Sequence, residues 1–257
     1  MHFLYNIGIR ILGISIRIYS IFNAKARIWL SGRKNQFEKF PVLKNKNVVW
    51  FHCASLGEFD QGLPLMKLIK KEQPNTFLFV TFFSPSGYEH YSKRENPVDF
   101  ATYLPLDTPK NAKQFMHLVN PKVAIFIKYE FWCNHILEAK ASNAKVYNVS
   151  GVFRENQRFF KWYGSFFRYT LSKFEHLFVQ NQRSSDFLKG INITNVTITG
   201  DARFDQVIEN RRTAQKNEII SRFKGDNELI IFGSSWQEDE KIYMNWLNSN
   251  SGKVLIA

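Results

Sequence analysis

From Pro41 onward, short apolar runs alternate with helix-like segments at a steady pitch, and this rhythm restricts what the chain can fold into more than any other feature. Alternation of that kind belongs to a parallel sheet whose strands are joined by crossover helices. Strands are predicted near residues 48–53, 76–81, 100–104, 122–128, 144–149, 176–180, 195–199, 228–233 and 253–257, with helices in the gaps. A length of 257 residues gives room for one large α/β domain or for one and a half smaller ones. Residues 206–224, rich in Glu, Arg, Lys and Asn, read as a polar connecting helix. Beyond them come a strand, the turn Ser234-Ser235-Trp236, a helix and a last apolar run. A βαβ unit cut at its second strand cannot cover its own faces, so residues 206–257 read as a linker and the beginning of a truncated second domain.

The first predicted strand stops at the small-residue turn Ala54-Ser55-Leu56-Gly57, which delivers Glu58 to the start of a helix. In open α/β sheets ligands bind beyond the carboxyl ends of the strands, and a carboxylate held there can take a proton from a substrate hydroxyl. Complementing the helix macrodipole, worth roughly 0.3–1 kcal/mol, is the plainer role for Glu58. Three more loops fall on the same predicted edge. In the 81–87 loop, Ser84 suits an N-cap and Pro85 the first helical position, a geometry that serves either capping or anion binding. After the fourth strand, Glu130 is a second acid, placed either at the site or in the first turn of a helix. After the seventh, Arg203 offers a guanidinium to an anionic group or pairs with Asp201 or Asp205 on the surface.

Lys and Arg number 35 against 22 Asp and Glu, a formal charge of +13 that favours an anionic partner: nucleic acid, an acidic membrane surface or a phosphorylated substrate. With only Cys53 and Cys133, no disulfide framework is implied and a reducing cytosol fits. The histidines show no metal-ligand spacing, and His52 reads as a packed strand residue. P-loop, dinucleotide-binding and nucleophile-elbow glycine motifs are missing as well.

Residues 3–22 are largely apolar and carry Arg10 and Arg17 as their charges, seven residues apart and so on one side of a helix. An arginine at a bilayer centre costs about 2.5–3.5 kcal/mol, which favours a helix lying among headgroups over a tilted span or a helix covering the core. Lys25, Arg27, Arg33 and Lys34 add a basic cluster suited to anionic lipid, at about 1 kcal/mol each. No small-residue cleavage site follows, so the segment does not read as a removable signal peptide, and residues 1–35 read as an amphipathic membrane anchor. Residues 156–173, dense in aromatics between Arg158, Lys161 and Arg168, read as a helix packed on the core or on lipid, with a base-stacking surface as the lesser alternative.

Taken together, the loops resemble those of the 3-deoxy-D-manno-octulosonic acid (Kdo) transferases of lipopolysaccharide synthesis. The likeness rests on His52-Cys53-Ala54-Ser55-Leu56-Gly57-Glu58, on Thr81 with Ser84-Pro85-Ser86-Gly87, on Tyr103-Leu104-Pro105-Leu106-Asp107, on Glu130-Phe131-Trp132-Cys133-Asn134, and on Gly200 with Arg203-Phe204-Asp205, all in family order. The resemblance implies a GT-B glycosyltransferase, with residues 36–205 as a Rossmann-like acceptor domain and the donor CMP-Kdo held mostly by a second such domain. It implies Glu58 as general base, and Glu130 and Arg203 as transition-state stabilisers, Arg203 standing where many members have lysine. Ser55, Gly57, Ser84, Ser86 and Gly87 would face the acceptor, and Ser234 and Ser235 the donor. Neither metal nor cofactor is implied beyond CMP-Kdo itself, and the expected chemistry is inverting transfer to a lipid IVA-like lipid A precursor. Residues 1–34 would meet the anionic surface of the bacterial inner membrane on its cytoplasmic face, with no nucleic-acid partner. Without a donor domain the chain is expected to be inactive unaided. A basic α/β nucleic-acid-binding protein, which would not account for the acids at the strand ends, and a non-catalytic membrane-associated fragment, which fits a chain without its donor domain, are the alternatives.

Overall fold

The computed structural model describes residues 1–93, 95–249 and 252–256. Two helices, α1 (His2–Tyr19) and α2 (Ala24–Arg33), precede an alternating series: β1 (Asn47–Cys53), α3 (Leu56–Glu72), β2 (Thr76–Phe82), α4 (Pro85–His90), β3 (Phe100–Tyr103) and α5 (Pro109–Val119). The series continues with β4 (Val123–Ile127), α6 (Cys133–Ala141), β5 (Lys145–Gly151), α7 (Ser165–Leu171), β6 (His176–Val179), α8 (Gln182–Lys189) and β7 (Val196–Ile198). Then come α9 (Arg203–Thr213), α10 (Glu218–Lys224), β8 (Leu229–Phe232), α11 (Gln237–Asn248) and β9 (Lys253–Ile256). All nine predicted strands are present. The chain divides into two compact units, Met1–Ile208 and Glu209–Ala257.

In the first unit seven strands form one parallel sheet in the order β3-β2-β1-β4-β5-β6-β7. Successive strands run to one side from β1 and to the other from β4, so the order reverses between these two neighbours, which pair from Val49↔Val123 to His52↔Phe126. Side chains alternate across the sheet: Trp50, Phe79 and Phe126 enter one apolar cluster, and Phe51, Leu78 and Ile125 the other. Burial on both faces is why these strands read as unbroken apolar runs. The second unit holds β8 and β9 as a parallel pair with α11 as the connection, Phe232 stacking on Tyr243 at 3.9 Å.

Three expectations need correction. Residues 156–173 do not form one helix: a 3-10 turn at Arg158–Phe160 is followed by Gly164 and then α7. The backbone folds back on itself there, and a Cβ on Gly164 would lie 2.2 Å from the Arg158 carbonyl oxygen. Arg168 fixes this turn by donating to the carbonyls of Phe159 and Lys161. Likewise the connector at 206–224 is two helices, α10 being capped by Asn217, which accepts from the Ile220 N–H. Finally Arg33 is no lipid-facing cation. It is half-buried against the protein, stacked 3.6 Å from the Trp29 ring centroid and donating to the carbonyls of Trp29, Phe83 and Leu104, and burial lowers its pKa to about 9.

Helix α1 packs on the first unit through Ile9 and Tyr5 and leaves Phe3, Ile7, Ile11, Ile14 and Ile18 exposed together with Arg10 and Arg17. Among the described residues no helix is long and apolar enough to cross a membrane.

Candidate active site

A sheet whose strand order reverses between β1 and β4 opens a crevice where the loops after those strands part in opposite directions. The two loops carry Glu58 and Glu130. Ser55 caps α3 and joins Glu58 in a capping box, in which the Glu58 Oε2 accepts from the Ser55 N–H at 3.2 Å. Glu58 is therefore buried, only 5% exposed, at the first turn of its helix. Burial and repulsion from Glu130 raise its pKa to about 7, while the Ala54 and Ser55 N–H groups and the Lys128 ammonium pull the other way. A carboxyl group with that balance takes a proton readily near neutrality.

Glu130 precedes α6, which begins at Cys133, so it is not a first-turn helix acid. Its loop leaves β4 through Lys128 in the left-handed conformation, φ 61°, a backbone state that L-residues rarely hold without support. Support comes from buried Asn148 on β5, whose amide donates to the carbonyls of Phe126 at 3.0 Å and Lys128 at 2.7 Å. The carboxylate itself is held by the Trp132 indole N–H at 2.9 Å, a donor shared with His52 Nε2 at 3.0 Å. His52 is thus more than a packed strand residue. Its Nδ1–H donates to Thr81 Oγ1 at 3.0 Å, and that hydroxyl also accepts from the Trp50 indole at 2.8 Å. Burial lowers the His52 pKa, which keeps the ring neutral although Glu130 stands 3.6 Å away. A chain of side chains from the sheet interior therefore ends on Glu130.

The neighbouring loops close around the same crevice. Ser84 caps α4 by accepting from the Gly87 N–H at 3.3 Å, its own N–H donates to the Ala54 carbonyl at 2.8 Å, and Ser86 Oγ lies 3.3 Å from Ser84 Oγ. Gly87 is buried against the turn that bears Glu58: a Cβ there would sit 2.7 Å from Phe82 and 3.2 Å from backbone atoms of Ser55 and Leu56. Gly57 is exposed and has open space where a Cβ would point. Across the crevice, Asp201 accepts from Gln61 at 3.5 Å and from the Arg203 guanidinium, and the Ala202 N–H donates to Ser150 Oγ at 3.3 Å. The hydrogen bonds from Arg203 hold the Asp201 carboxyl below its usual range, and the Arg203 side chain remains 63% exposed. Of the two roles open to Arg203, the pair with Asp201 is therefore formed, with most of the guanidinium still facing solvent. In the second unit Ser234 is exposed in the left-handed conformation, φ 59°, and the Ser235 hydroxyl meets that of Tyr243.

Sequence reasoning missed His52, Asn148 and Asp107 as supports of the site. Buried Asp107 accepts from the N–H groups of Asn134 at 3.1 Å and His135 at 2.9 Å, capping α6 from a distance, and also from the His135 ring and the Tyr5 hydroxyl. Burial works to raise its pKa, yet the hydrogen bonds from His135, Tyr5 and Asn134 outweigh it and hold the carboxyl low. Its place in the Tyr103–Asp107 motif was a sequence signal, as was that of His52 at the head of the motif ending in Glu58; Asn148 had none. Of the aromatics of residues 156–173 that might have stacked bases, Phe159 and Phe167 are buried, Phe159 packing edge-on to Phe131 at 5.1 Å, and Phe160 and Phe166 are half-buried, whereas Trp162, Tyr163 and Tyr169 are exposed.

Comparison with known proteins bears directly on this arrangement. The family model described as 3-deoxy-D-manno-octulosonic-acid transferase (kdotransferase) matches residues 31–206. Among curated proteins the chain is similar to 3-deoxy-D-manno-octulosonic acid transferases of Aquifex aeolicus (30% identical, covering 78% of this chain and 50% of that protein) and Chlamydophila psittaci (28%, 81% and 49%). One from Rickettsia bellii is 28% identical over 85% of this chain and 53% of its own length. The chain thus spans about half the length of the curated relatives it matches. Among solved structures it is similar to the UDP-GlcNAc 2-epimerase of Neisseria meningitidis, with a TM-score of 0.60 at 12% identity over 81% of this chain and 64% of that one. At that identity the likeness concerns fold alone, and the fold is α/β of the GT-B type.

Proposed function

The chain belongs to the 3-deoxy-D-manno-octulosonic-acid transferase family, and from that membership we propose that it forms the acceptor-binding part of an enzyme moving Kdo from CMP-Kdo to a lipid A precursor. One observation carries the proposal: two carboxylates from the strands flanking the reversal of strand order, one of them with a pKa near 7. A hydroxyl of a bisphosphorylated diglucosamine lipid attacks the anomeric carbon of Kdo, the bond to the phosphate oxygen breaks, and CMP leaves. Glu58 takes the hydroxyl proton. Glu130 offsets positive charge developing on the sugar, and its negative charge also raises the proton affinity of Glu58. Arg203 meets the departing phosphate, and attack from the face opposite CMP inverts the anomeric centre without a metal. Ser55, Gly57, Ser84, Ser86 and Gly87 form the rim met by the acceptor, and Ser234 and Ser235 belong to the part that meets CMP-Kdo.

The exposed apolar face of α1, flanked by Arg10 and Arg17, suits the headgroup layer of the bacterial inner membrane on its cytoplasmic side, where the acceptor lies. The test is transfer of radiolabelled Kdo to a tetra-acylated, bisphosphorylated diglucosamine lipid by the full-length enzyme. Glu58→Gln should lower kcat by roughly 10²–10⁴-fold. In the unsubstituted enzyme kcat/KM should fall tenfold per pH unit below about pH 7, as Glu58 becomes protonated. Near-normal turnover of Glu58→Gln would overturn the assignment.

A further inference from the structure

A groove of about 950 Å³ lies between α1 and the loop that carries Glu130. Its size is at the upper end of the roughly 300–1,000 Å³ of small-molecule sites. Leu4, Gly8 and Leu12, four residues apart and so in one stripe along α1, form one wall. Phe131, Trp132 and Tyr163 stand among the residues opposite, and Glu130 and Arg158 are the charged side chains of the lining. Arg158 is itself fixed over the Phe167 ring, 4.8 Å from its centroid. A groove apolar along α1 and charged beside a candidate catalytic carboxylate matches an amphiphile with a long hydrocarbon part and an anionic head.

The wall is not a loosely docked helix. Tyr5 donates to Asp107 and accepts from the Cys133 N–H at 3.2 Å, Asn134 donates to Asn6 at 2.9 Å, and His2 Nε2 lies 2.8 Å from Asn134 Oδ1. Every one of these partners outside α1 lies in the first turn of α6, directly after the Glu130 loop, or caps it. Helix α1 therefore carries one broad apolar surface with two parts: an outer face centred on Phe3, Ile7, Ile14 and Ile18, and beside it an edge at Leu4, Gly8 and Leu12 that lines the groove. Gly8 stands out on this edge. Glycine costs a helix interior about 1 kcal/mol relative to alanine, yet a Cβ at Gly8 would meet no atom within 4 Å. What glycine preserves there is open space in the groove.

We infer that the groove receives one acyl chain of the acceptor lipid, threaded between α1 and the Glu130 loop, with a headgroup phosphate at Arg158 and the sugar beside Glu130. The inference rests on the lipid acceptor proposed above and adds where its hydrocarbon goes. Continuity of the groove with Glu130, and the match of Arg158 to a phosphate, favour the acceptor over a bilayer phospholipid as the occupant.

The test uses the full-length enzyme with two acceptors, the tetra-acylated bisphosphorylated diglucosamine lipid and its deacylated form. Gly8→Leu should raise KM for the acylated acceptor about tenfold relative to the deacylated one, within the range that small volume changes produce in apolar pockets. Ile14→Ala, on the outer face and further round the helix from Gly8, should leave that ratio where it was. An acceptor carrying a diazirine near an acyl terminus should label Gly8, Leu12 or Phe131. An unchanged ratio in Gly8→Leu, or labelling confined to the outer face, overturns the inference. So does equal labelling of Gly8 and Leu12 by a diazirine phosphatidylglycerol in the presence of the acceptor, which would make the occupant a bilayer lipid. If the unsubstituted enzyme transfers Kdo to neither acceptor, it is the proposed function that fails.

Discussion

Glu58 holds two positions at once, as the acid of a capping box and as a buried carboxylate facing another acid. The two make opposite demands on its charge, and that conflict is measurable. Its folded pKa of about 7 lies above the unfolded value near 4.5, so between those pH values the native state binds the extra proton. Stability from this group is complete below about pH 4.5 and is lost as the pH rises through about 7. At pH 8 the ionised carboxylate costs up to roughly 3 kcal/mol. Glutamine can still reach the N-cap N–H from this helix position, so Glu58→Gln removes the charge and keeps the cap. The variant should be more stable than the parent at pH 8, by up to about 3 kcal/mol, and no more stable at pH 4. Urea melts at the two pH values check this, and a variant destabilised at pH 8 would contradict it. Trp132 is a second residue with a double task, since its indole N–H serves both His52 and Glu130 while its ring stacks on Phe83 at 4.8 Å. Trp132→Phe keeps an aromatic ring there and removes the donor, leaving the buried His52 Nε2 unpaired at a cost of about 1–3 kcal/mol. Thermal unfolding should show that loss, together with reduced turnover as Glu130 loses its anchor.

At the scale of elements, the site depends on how closely α4 approaches the turn before α3. Gly87 sets that distance. A methyl group there would meet Phe82 at 2.7 Å and backbone of Ser55 and Leu56 at 3.2 Å, and backbone cannot rotate aside as a side-chain end can. Gly87→Ala should therefore cost about 1–3 kcal/mol in urea unfolding. It should also lower kcat, because the displaced turn carries Glu58; full activity at normal stability would show that the turn tolerates the shift. The same contrast between local and distant contacts explains what the sequence made legible. Strands such as β1, β2 and β4 could be read because burial on both faces gives each an apolar run, and Ser84 with Pro85 announced α4 through a local capping rule. Glu58 and Glu130 could be placed at strand ends, but their proximity depends on β1 and β4 being neighbours, which no local pattern encodes. Arg33, His52 and Asp107 escaped for the same reason, their partners lying 71, 80 and 102 residues away in Leu104, Trp132 and Tyr5. The break at Gly164 was hidden because an aromatic-rich stretch has helical spacing whether or not its backbone turns back on itself.

For the whole molecule, the excess of 35 basic over 22 acidic residues and the outer face of α1 bear on where the protein works. Deleting residues 1–34 would be a poor test of membrane binding, because the deletion also removes Tyr5 from Asp107, Trp29 from the core and Arg33 from the loops after β2 and β3. Loss of binding would then be indistinguishable from loss of fold. Arg10 and Arg17 avoid that difficulty, since both are exposed on α1 beside Ile7, Ile11, Ile14 and Ile18. Each cation near an anionic surface contributes about 1 kcal/mol, so Arg10→Gln with Arg17→Gln should weaken binding to vesicles containing phosphatidylglycerol by roughly 30-fold at low salt. Raising the salt should shrink the difference, because screening removes the same attraction from the parent protein. The apolar face is unaltered in this variant, so residual binding to neutral vesicles should match that of the parent. Sedimentation with vesicles of both compositions separates the two contributions. Equal binding of parent and variant to anionic vesicles would mean that α1 meets lipid through its apolar side chains alone, or that another surface of the protein holds it at the membrane.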